Sequence, residues 1–351
     1  MLTRYKTLEN GSVVRQANIY TAAEHDIDVS HIDQDAVKII RRLSSSGHEA
    51  YIVGGAVRDL LVGITPKDFD IATDAPPGRI RKLFRNSRVI GKRFRLVHVY
   101  FANDKIIEVS TFRSRDSEGF QNIYGDIEED ALRRDFSLNA LYYCPLKNTI
   151  IDYVGGFKDV KAKRLKPVIP VDRIFSEDPV RMIRAVKYSV STGFRIVRPL
   201  NRALVKSVHL LADVSPSRMT EELFKILQSG RAHEVFERAI RYDMLQYLLP
   251  GCGTYLSQKE YRMRLLYSIA KLDERARKET PGRDMCIAYL CGDYLLGYSG
   301  LDMKRRVPFP DAFALVKTFL RPLVPANRDV EHGIAFLLKR KRRYLEEGVF
   351  D

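Results

Sequence analysis

Two carboxylates, Asp68 and Asp70, stand one residue apart in an apolar, β-prone context, about a dozen residues after a Gly54-Gly55 pair with Arg58 behind it. On a strand, residues i and i+2 share a face, so Asp68 and Asp70 project side by side while Phe69 and Ile71 enter the core. Adjacent carboxylates repel unless a cation lies between them, and a divalent metal with oxygen ligands is the usual solution. Gly54 and Gly55 let backbone N–H groups approach an anion, and Arg58 can add charge-assisted bonds to phosphate. Taken alone, a Gly-Gly pair is usually a turn and an Asp-x-Asp a solvated strand edge. In this order each part solves a different piece of one problem, the binding of a Mg²⁺-nucleoside triphosphate.

Further acids and bases follow the same logic. Glu108 lies in a run of β-branched residues, where a buried carboxylate needs a metal or a cationic partner; the alternative is an outward-facing edge residue. The stretch Arg133-Arg134-Asp135-x-x-x-Asn139-Ala140 sets Asp135 and Asn139 one helical turn apart. Glu177-Asp178-Pro179-Val180-Arg181 places an N-cap acid before a proline at a helix start, and Arg181, Arg184 and Lys187 recur every three residues as a basic stripe.

Gly54-Gly55-x-Val57-Arg58-Asp59 with Asp68-x-Asp70 resembles the head of class II nucleotidyltransferases of the polymerase β superfamily, the tRNA CCA-adding enzymes and the bacterial poly(A) polymerases. Pro66 to Asp70 and Arg85 to Val99 resemble the poly(A) polymerase branch, and the similarity runs from about Ile19 to Pro250. The resemblance implies that Asp68, Asp70 and Glu108 hold two Mg²⁺ ions as a catalytic carboxylate set. It implies that Gly54, Gly55, Arg58 and Arg134 grip the phosphates, and that Asp135, with Asn139 beside it, tests the ribose hydroxyl. It also implies that Asp178, Arg181 and Arg184, with Lys187 as a further candidate, orient the base. A carboxylate accepts from an exocyclic amino group while a guanidinium donates to the ring nitrogen, and both adenine and cytosine offer that edge. These residues therefore leave A-only and C-then-A addition both open.

The elements that must position these groups are legible in part. Asp33 to Leu43 has a helical period ended by Ser44 to Gly47, and Ala50 to Val53 reads as a buried strand entering the Gly-Gly turn. Leu96 to Phe101, Ile106 to Phe112, Leu141 to Cys144 and Ile150 to Val154 read as strands, and Arg115 to Tyr124 as a loop over the site. Beyond residue 190 helices dominate, at Leu200–Leu211, Ser217–Gln228, Ala232–Leu249, Lys259–Asp273 and Pro310–Leu320. The expected fold is an α+β head with a small mixed or antiparallel sheet, polymerase β-like, followed by an all-α neck and body. The expected divisions are a flexible arm over 1–30, a head over 31–170, a helical neck over 171–250, and a helical body and tail with a basic C-terminus over 251–351.

Composition bounds the class. The formal charge is +15 over 351 residues, an excess that fits a polyanionic partner. From Arg79 to Arg95 there are eight basic residues and no acidic one, so Arg85, Arg88, Lys92, Arg93 and Arg95 are expected to meet RNA phosphates. Lys339, Arg340, Lys341, Arg342 and Arg343 form a second candidate patch near the C-terminus. No apolar run approaches a bilayer span and no apolar signal opens the chain. The four cysteines lack zinc spacing and read as reduced, buried thiols of a cytoplasmic protein. The expected function is template-independent addition of AMP from ATP to RNA 3′ ends, on mRNA or other single-stranded RNA. The alternatives are CCA addition to tRNA and a catalytically silent RNA-binding protein.

Overall fold

The polar N-terminal stretch folds as an antiparallel hairpin of β1 (Leu2–Thr7) and β2 (Val13–Tyr20) in the computed structural model. That model describes every residue except 8–9, 92–95, 115–122, 306 and 349–351. This corrects the flexible arm expected over 1–30. β1 is an edge strand solvated on most of its length, which erases the alternation a half-buried strand shows. The hairpin is held by bonds from Arg4 to Tyr153 (3.2 Å) and from Gln16 to Glu128 (2.8 Å).

Helix α1 (Gln34–Ser45) follows, its N-terminus capped by the Asp33 carboxylate and its Ala36, Ile39, Ile40 and Leu43 buried. The chain then alternates through β3 (Ala50–Val53), α2 (Gly55–Leu61), β4 (Asp70–Thr73), α3 (Pro77–Leu83), β5 (Ser87–Ile90), β6 (Leu96–Tyr100) and β7 (Ile106–Thr111). It continues through α4 (Ile127–Leu132), β8 (Leu141–Cys144), β9 (Thr149–Asp152) and α5 (Gly156–Lys161). Nine strands make one sheet in the order β1-β2-β9-β8-β3-β4-β7-β6-β5, larger than the small sheet expected. The pair β4–β7 is parallel and the other neighbours are antiparallel. A short parallel pair, β10 (Arg164–Leu165) and β11 (Arg195–Ile196), returns the chain to this unit. The unit comprises Met1–Val171 and Phe194–Leu200.

Register assigns the two faces of the sheet. Tyr143, Ile52, Ile71, Val109, Val97 and Val89 lie in one row across six strands. Five of them, all but Val89, are at 0% exposure. Burying an aliphatic side chain of this size contributes about 1.5–3 kcal/mol. The neighbouring row points to the other face: Tyr142, Val53, Asp70, Glu108, His98 and Arg88. Its first members join a core with Ile127 and Ala131 of α4. From Asp70 onward the row is polar.

The second unit, Asp172–Gly193 with Asn201–Asp351, is helical. It contains α6 (Ile174–Glu177), α7 (Val180–Thr192), most of α8 (Arg198–Ser207), α9 (Pro216–Leu227), α10 (Ala232–Arg241), α11 (Leu245–Leu248) and α12 (Gly253–Ser257). It ends with α13 (Lys259–Ala276), α14 (Arg283–Asp293), α15 (Phe309–Leu320) and α16 (Asn327–Glu347). The single helix expected over 232–249 is broken at Asp243, whose φ is +55°. The division at 171/172 lies near the expected end of the head, whereas neck and body form one unit. Lys339 to Arg343 sit inside the 21-residue α16. All four cysteines are free and buried. No helix among the described residues is long and apolar enough to cross a membrane.

Candidate active site

Asp70 opens β4 and stands in register with Glu108 of the parallel neighbour β7, both exposed on the same face. Asp68 precedes the strand, but the alternation already holds: Asp68 is exposed, Phe69 buried, Asp70 exposed, Ile71 buried. Like charges directly opposite across a sheet are destabilising, and a cation between them relieves that repulsion. Glu108 is not the buried acid expected from its apolar neighbours. Its side chain is 47% exposed, and its Oε1 lies 3.2 Å from Nε2 of His98, the in-register residue on β6. Nor does it sit at an edge, since β7 is flanked by β4 and β6. Among the described residues no three acid, histidine or cysteine side chains converge closely enough to grip an ion. The oxygen donor set and the shared face of Asp70 and Glu108 nonetheless suit Mg²⁺, a hard cation that prefers carboxylates.

The Gly-Gly turn joins β3 to α2. Gly54 has φ +70° and ψ −129°, a conformation that side chains with a Cβ avoid. Gly55 starts α2, and the expected phosphate-binding Arg58 is buried beneath it. Arg58 donates from Nε to Asp59 (2.8 Å) and from Nη1 to the Asn139 side-chain oxygen (3.1 Å). Asn139 in turn donates to Asp135 Oδ1 (3.3 Å), which also accepts from the Phe136 backbone N–H (2.8 Å). Burial raises the Asp59 pKa against the pull of Arg58. The turn and the 133–139 motif are thus one hydrogen-bonded block.

The contact between Asp135 and Asn139 does not come from a helix, as the spacing suggested. α4 ends at Leu132, Phe136 bridges to Pro167, and residues 137–139 form a single 3₁₀ turn. Arg134 is half-buried. Its Nη2 lies 2.9 Å from Asp130 Oδ2, its Nε donates to Tyr142 Oη (3.0 Å), and its Nη1 donates to the Asn139 carbonyl (3.1 Å). A Cβ placed on Gly54 would come within 3.7 Å of Arg134 Nη1, so this charge lies beside the turn. Burial works to raise the Asp130 pKa, but the Arg134 charge and the Tyr142 hydroxyl outweigh it and hold it lowered. Sequence reasoning gave Asp130 and Tyr142 no role; the i,i+4 spacing of Asp130 and Arg134 was the available signal.

In the second unit, Asp178 accepts from the Val180 N–H (3.3 Å) at the start of α7 and pairs through Oδ2 with Arg218 (2.7 Å). Arg181 Nη1 bonds the Ile174 carbonyl (3.0 Å) and Glu177 (3.2 Å). Arg184 donates to the Tyr188 hydroxyl (3.0 Å). Lys187 is locked to Glu222 of α9 at 2.6 Å, both side chains mostly buried. Burial would raise the Glu222 pKa, yet Lys187, with Lys225 and Arg184, holds it below the usual range. Lys187 is therefore bound into the α7–α9 packing.

Arg85 and Arg88 are exposed, whereas Lys92, Arg93 and Arg95 lie outside the described residues, as does most of the loop expected over the site. On α16, Arg340 lies over the Phe336 ring (3.8 Å) and Lys341 bonds the Arg305 carbonyl. Arg342 and Arg343 pair with Glu346 and Glu347.

Residues 50–166 match the family model described as the poly A polymerase head domain, and residues 193–255 the probable RNA and SrmB-binding site of polymerase A. The chain is 40% identical over 275 residues to poly(A) polymerase I of Escherichia coli O6:H1, covering 74% of this chain and 59% of that protein. It is 36% identical over 231 residues to the CCA-adding enzyme of Bacillus velezensis, covering 64% and 57%. The chain thus spans about three fifths of the length of these curated relatives. Among solved structures it is similar to the Bacillus stearothermophilus CCA-adding enzyme in complex with CTP, with TM-score 0.59, 26% identity, and 90% and 83% of the two chains covered.

Proposed function

Because the chain belongs to the nucleotidyltransferase family that joins poly(A) polymerases to CCA-adding enzymes, we propose that it adds AMP from ATP to RNA 3′-hydroxyls without a template. The observation that carries this reading is the in-register pair of carboxylates, Asp70 and Glu108, on adjacent parallel strands of an open sheet face. In the proposed reaction the RNA 3′-oxygen forms a bond to the α-phosphorus, the bond to the β-phosphate oxygen breaks, and pyrophosphate leaves. Asp68, Asp70 and Glu108 would hold Mg²⁺, which supplies charge neutralisation for the triphosphate and the leaving group.

The chain's own residues do the rest. The Gly54–Gly55 backbone receives phosphate oxygens, with Arg134 adding positive charge beside the turn. Arg58 and Asn139 hold Asp135 where it can accept from a ribose hydroxyl. Asp178, Arg181 and Arg184 are assigned to the base; Lys187, tied to Glu222, supports α7 instead.

Asp70→Ala should cut Mg²⁺-dependent pyrophosphate release from ATP and RNA about 100-fold or more, a loss of a few kcal/mol of transition-state stabilisation. Near-normal turnover would remove the carboxylate assignment. CCA addition to tRNA is the second reading, favoured by the likeness to the CTP-bound structure. Separate assays with ATP and CTP on a tRNA trimmed of its 3′ end and on unstructured RNA decide between them. CTP incorporation on the trimmed tRNA selects the second. Absence of any Mg²⁺-dependent pyrophosphate release leaves a protein that only binds RNA.

A further inference from the structure

The helical unit contains a cavity of about 490 Å³ that lies outside both stretches matched by the family models. Its volume falls within the range of small-ligand sites. One side of α13 supplies Met263, Arg264, Tyr267 and Lys271, and α16 supplies Arg343 and Tyr344. Met263 and Tyr267, one turn apart, are 57% and 53% exposed, although the same helix buries Leu265, Ile269 and Leu272. Lys271 Nζ lies 5.7 Å from the Tyr267 ring centroid.

This wall is built rather than incidental. Asp293, buried at the end of α14, accepts from the Tyr255 hydroxyl (2.8 Å) and from the Tyr344 hydroxyl. Its Oδ1 also lies 3.6 Å from Arg264 Nη1. A fixed carboxylate thus orients both Tyr344 and Arg264. Directly after Asp293 the helix widens into a π-turn over Tyr294–Tyr298, a distortion that recurs at functional sites.

The rim carries three cations. Arg264, Lys271 and Arg343 each face a carboxylate on their own helix, Glu260 (2.9 Å), Glu274 (3.1 Å) and Glu347 (2.8 Å). Such exposed pairs contribute little to stability, and a phosphate group competes for the same cations through charge-assisted bonds. An aromatic face beside three cations excludes a purely apolar ligand, and the tyrosines and methionine offer a bare inorganic anion nothing.

We propose that this cavity is a second nucleotide site, taking one nucleoside phosphate unit with its base against Tyr267 and Met263 and its phosphate on Arg264, Lys271 and Arg343. Stacking on an aromatic face accepts any base, and the cations supply the phosphate contact. The unit can come from free nucleotide or from an RNA strand. The proposal does not rest on the activity assigned to the sheet-bearing unit.

The chain has no tryptophan, so Tyr267→Trp in the full chain places the sole indole at the cavity. Fluorescence is titrated with AMP and, separately, with a short oligoadenylate. Saturable quenching is expected, with affinity about tenfold or more weaker when Lys271→Ala and Arg343→Ala are added. Quenching is expected to persist in an Asp70→Ala background. Saturation by both ligands assigns a mononucleotide site, and saturation by the oligonucleotide alone assigns an RNA subsite. Three results overturn the proposal: no saturation with either ligand, saturation unchanged by the Lys271 and Arg343 substitutions, or loss of quenching in Asp70→Ala. Because Tyr267 and Arg343 are exposed and Lys271 is only half-buried, circular dichroism is expected to show an unchanged helical signal in each variant.

Discussion

Asp70 and Asp130 carry the same functional group in opposite circumstances. Asp130 is buried against Arg134 and the Tyr142 hydroxyl, so Asp130→Ala leaves a half-buried guanidinium without its carboxylate. The expected cost is about 3–5 kcal/mol, read from urea denaturation at neutral pH. Asp70 is exposed, so Asp70→Ala should shift stability by no more than about 0.5 kcal/mol while removing activity. An Asp130 variant as stable as the parent would contradict the buried-pair account. The sign of the pH effect follows from the lowered pKa values of Asp130 and Glu222. A carboxylate held below its unfolded value contributes stability that is fully present above that value, about 3.9 for Asp and 4.3 for Glu, and lost as pH falls through the folded pKa. Denaturation midpoints should therefore drop on acidification below about pH 4, and less so in Asp130→Asn. Asp152 shows why types and spacing alone do not sort such acids. It accepts from the backbone N–H groups of Val154, Gly155, Gly156 and Phe157 and serves only to close a turn.

At the scale of elements, the β3–α2 turn separates folding from binding. Gly54→Ala forces a Cβ into the glycine-only conformation of that turn, although the Cβ itself would make only an ordinary contact with Arg134 Nη1 at 3.7 Å. A loss of about 1–3 kcal/mol of stability is expected by thermal or urea denaturation. Gly55 has an ordinary φ at the first turn of α2, and a Cβ there would touch only Arg58, at 3.4 Å. Gly55→Ala should leave the fold intact while weakening ATP binding by blocking phosphate approach to the backbone; equal ATP affinity in calorimetry would remove phosphate from this turn. In the second unit, Lys187→Ala removes the nearest cation from the mostly buried Glu222 carboxylate and leaves it the longer Lys225 pair at 3.8 Å. It should cost about 3 kcal/mol and leave the ATP-to-CTP preference unchanged. A changed preference would restore Lys187 to the base site. Elements with a clean period were legible: α1, α9, α13 and α15 lie close to where their apolar spacing placed them. α14 was not, because it is buried from Cys286 through Asp293 and a helix apolar all round has no stripe to read. The N-terminal hairpin escaped for the converse reason, being solvated along most of β1.

For the whole molecule, the excess of fifteen positive charges predicts that RNA affinity falls linearly in log–log against salt, each single-strand phosphate contact adding about −0.7 to the slope. A flat slope in filter binding would separate the charge from RNA altogether. The amino-acid order by itself determined the family-bearing constellation: a glycine turn, two acids at i and i+2, a third acid on a later strand, and the motifs at 133–139 and 178–187. It did so because local chemistry and strand periodicity act over a few residues. Tertiary structure alone decided which of those charges are available. Arg58 and Lys187 read as ligand-gripping cations, yet each is bonded to a partner brought close only by folding: Asn139 and Glu222, respectively. Glu108 read as a buried acid or as an outward-facing edge residue, yet sheet register set it exposed in an inner strand beside Asp70 and His98. Burial and pairing depend on neighbours distant in the chain, and no short window of sequence contains them.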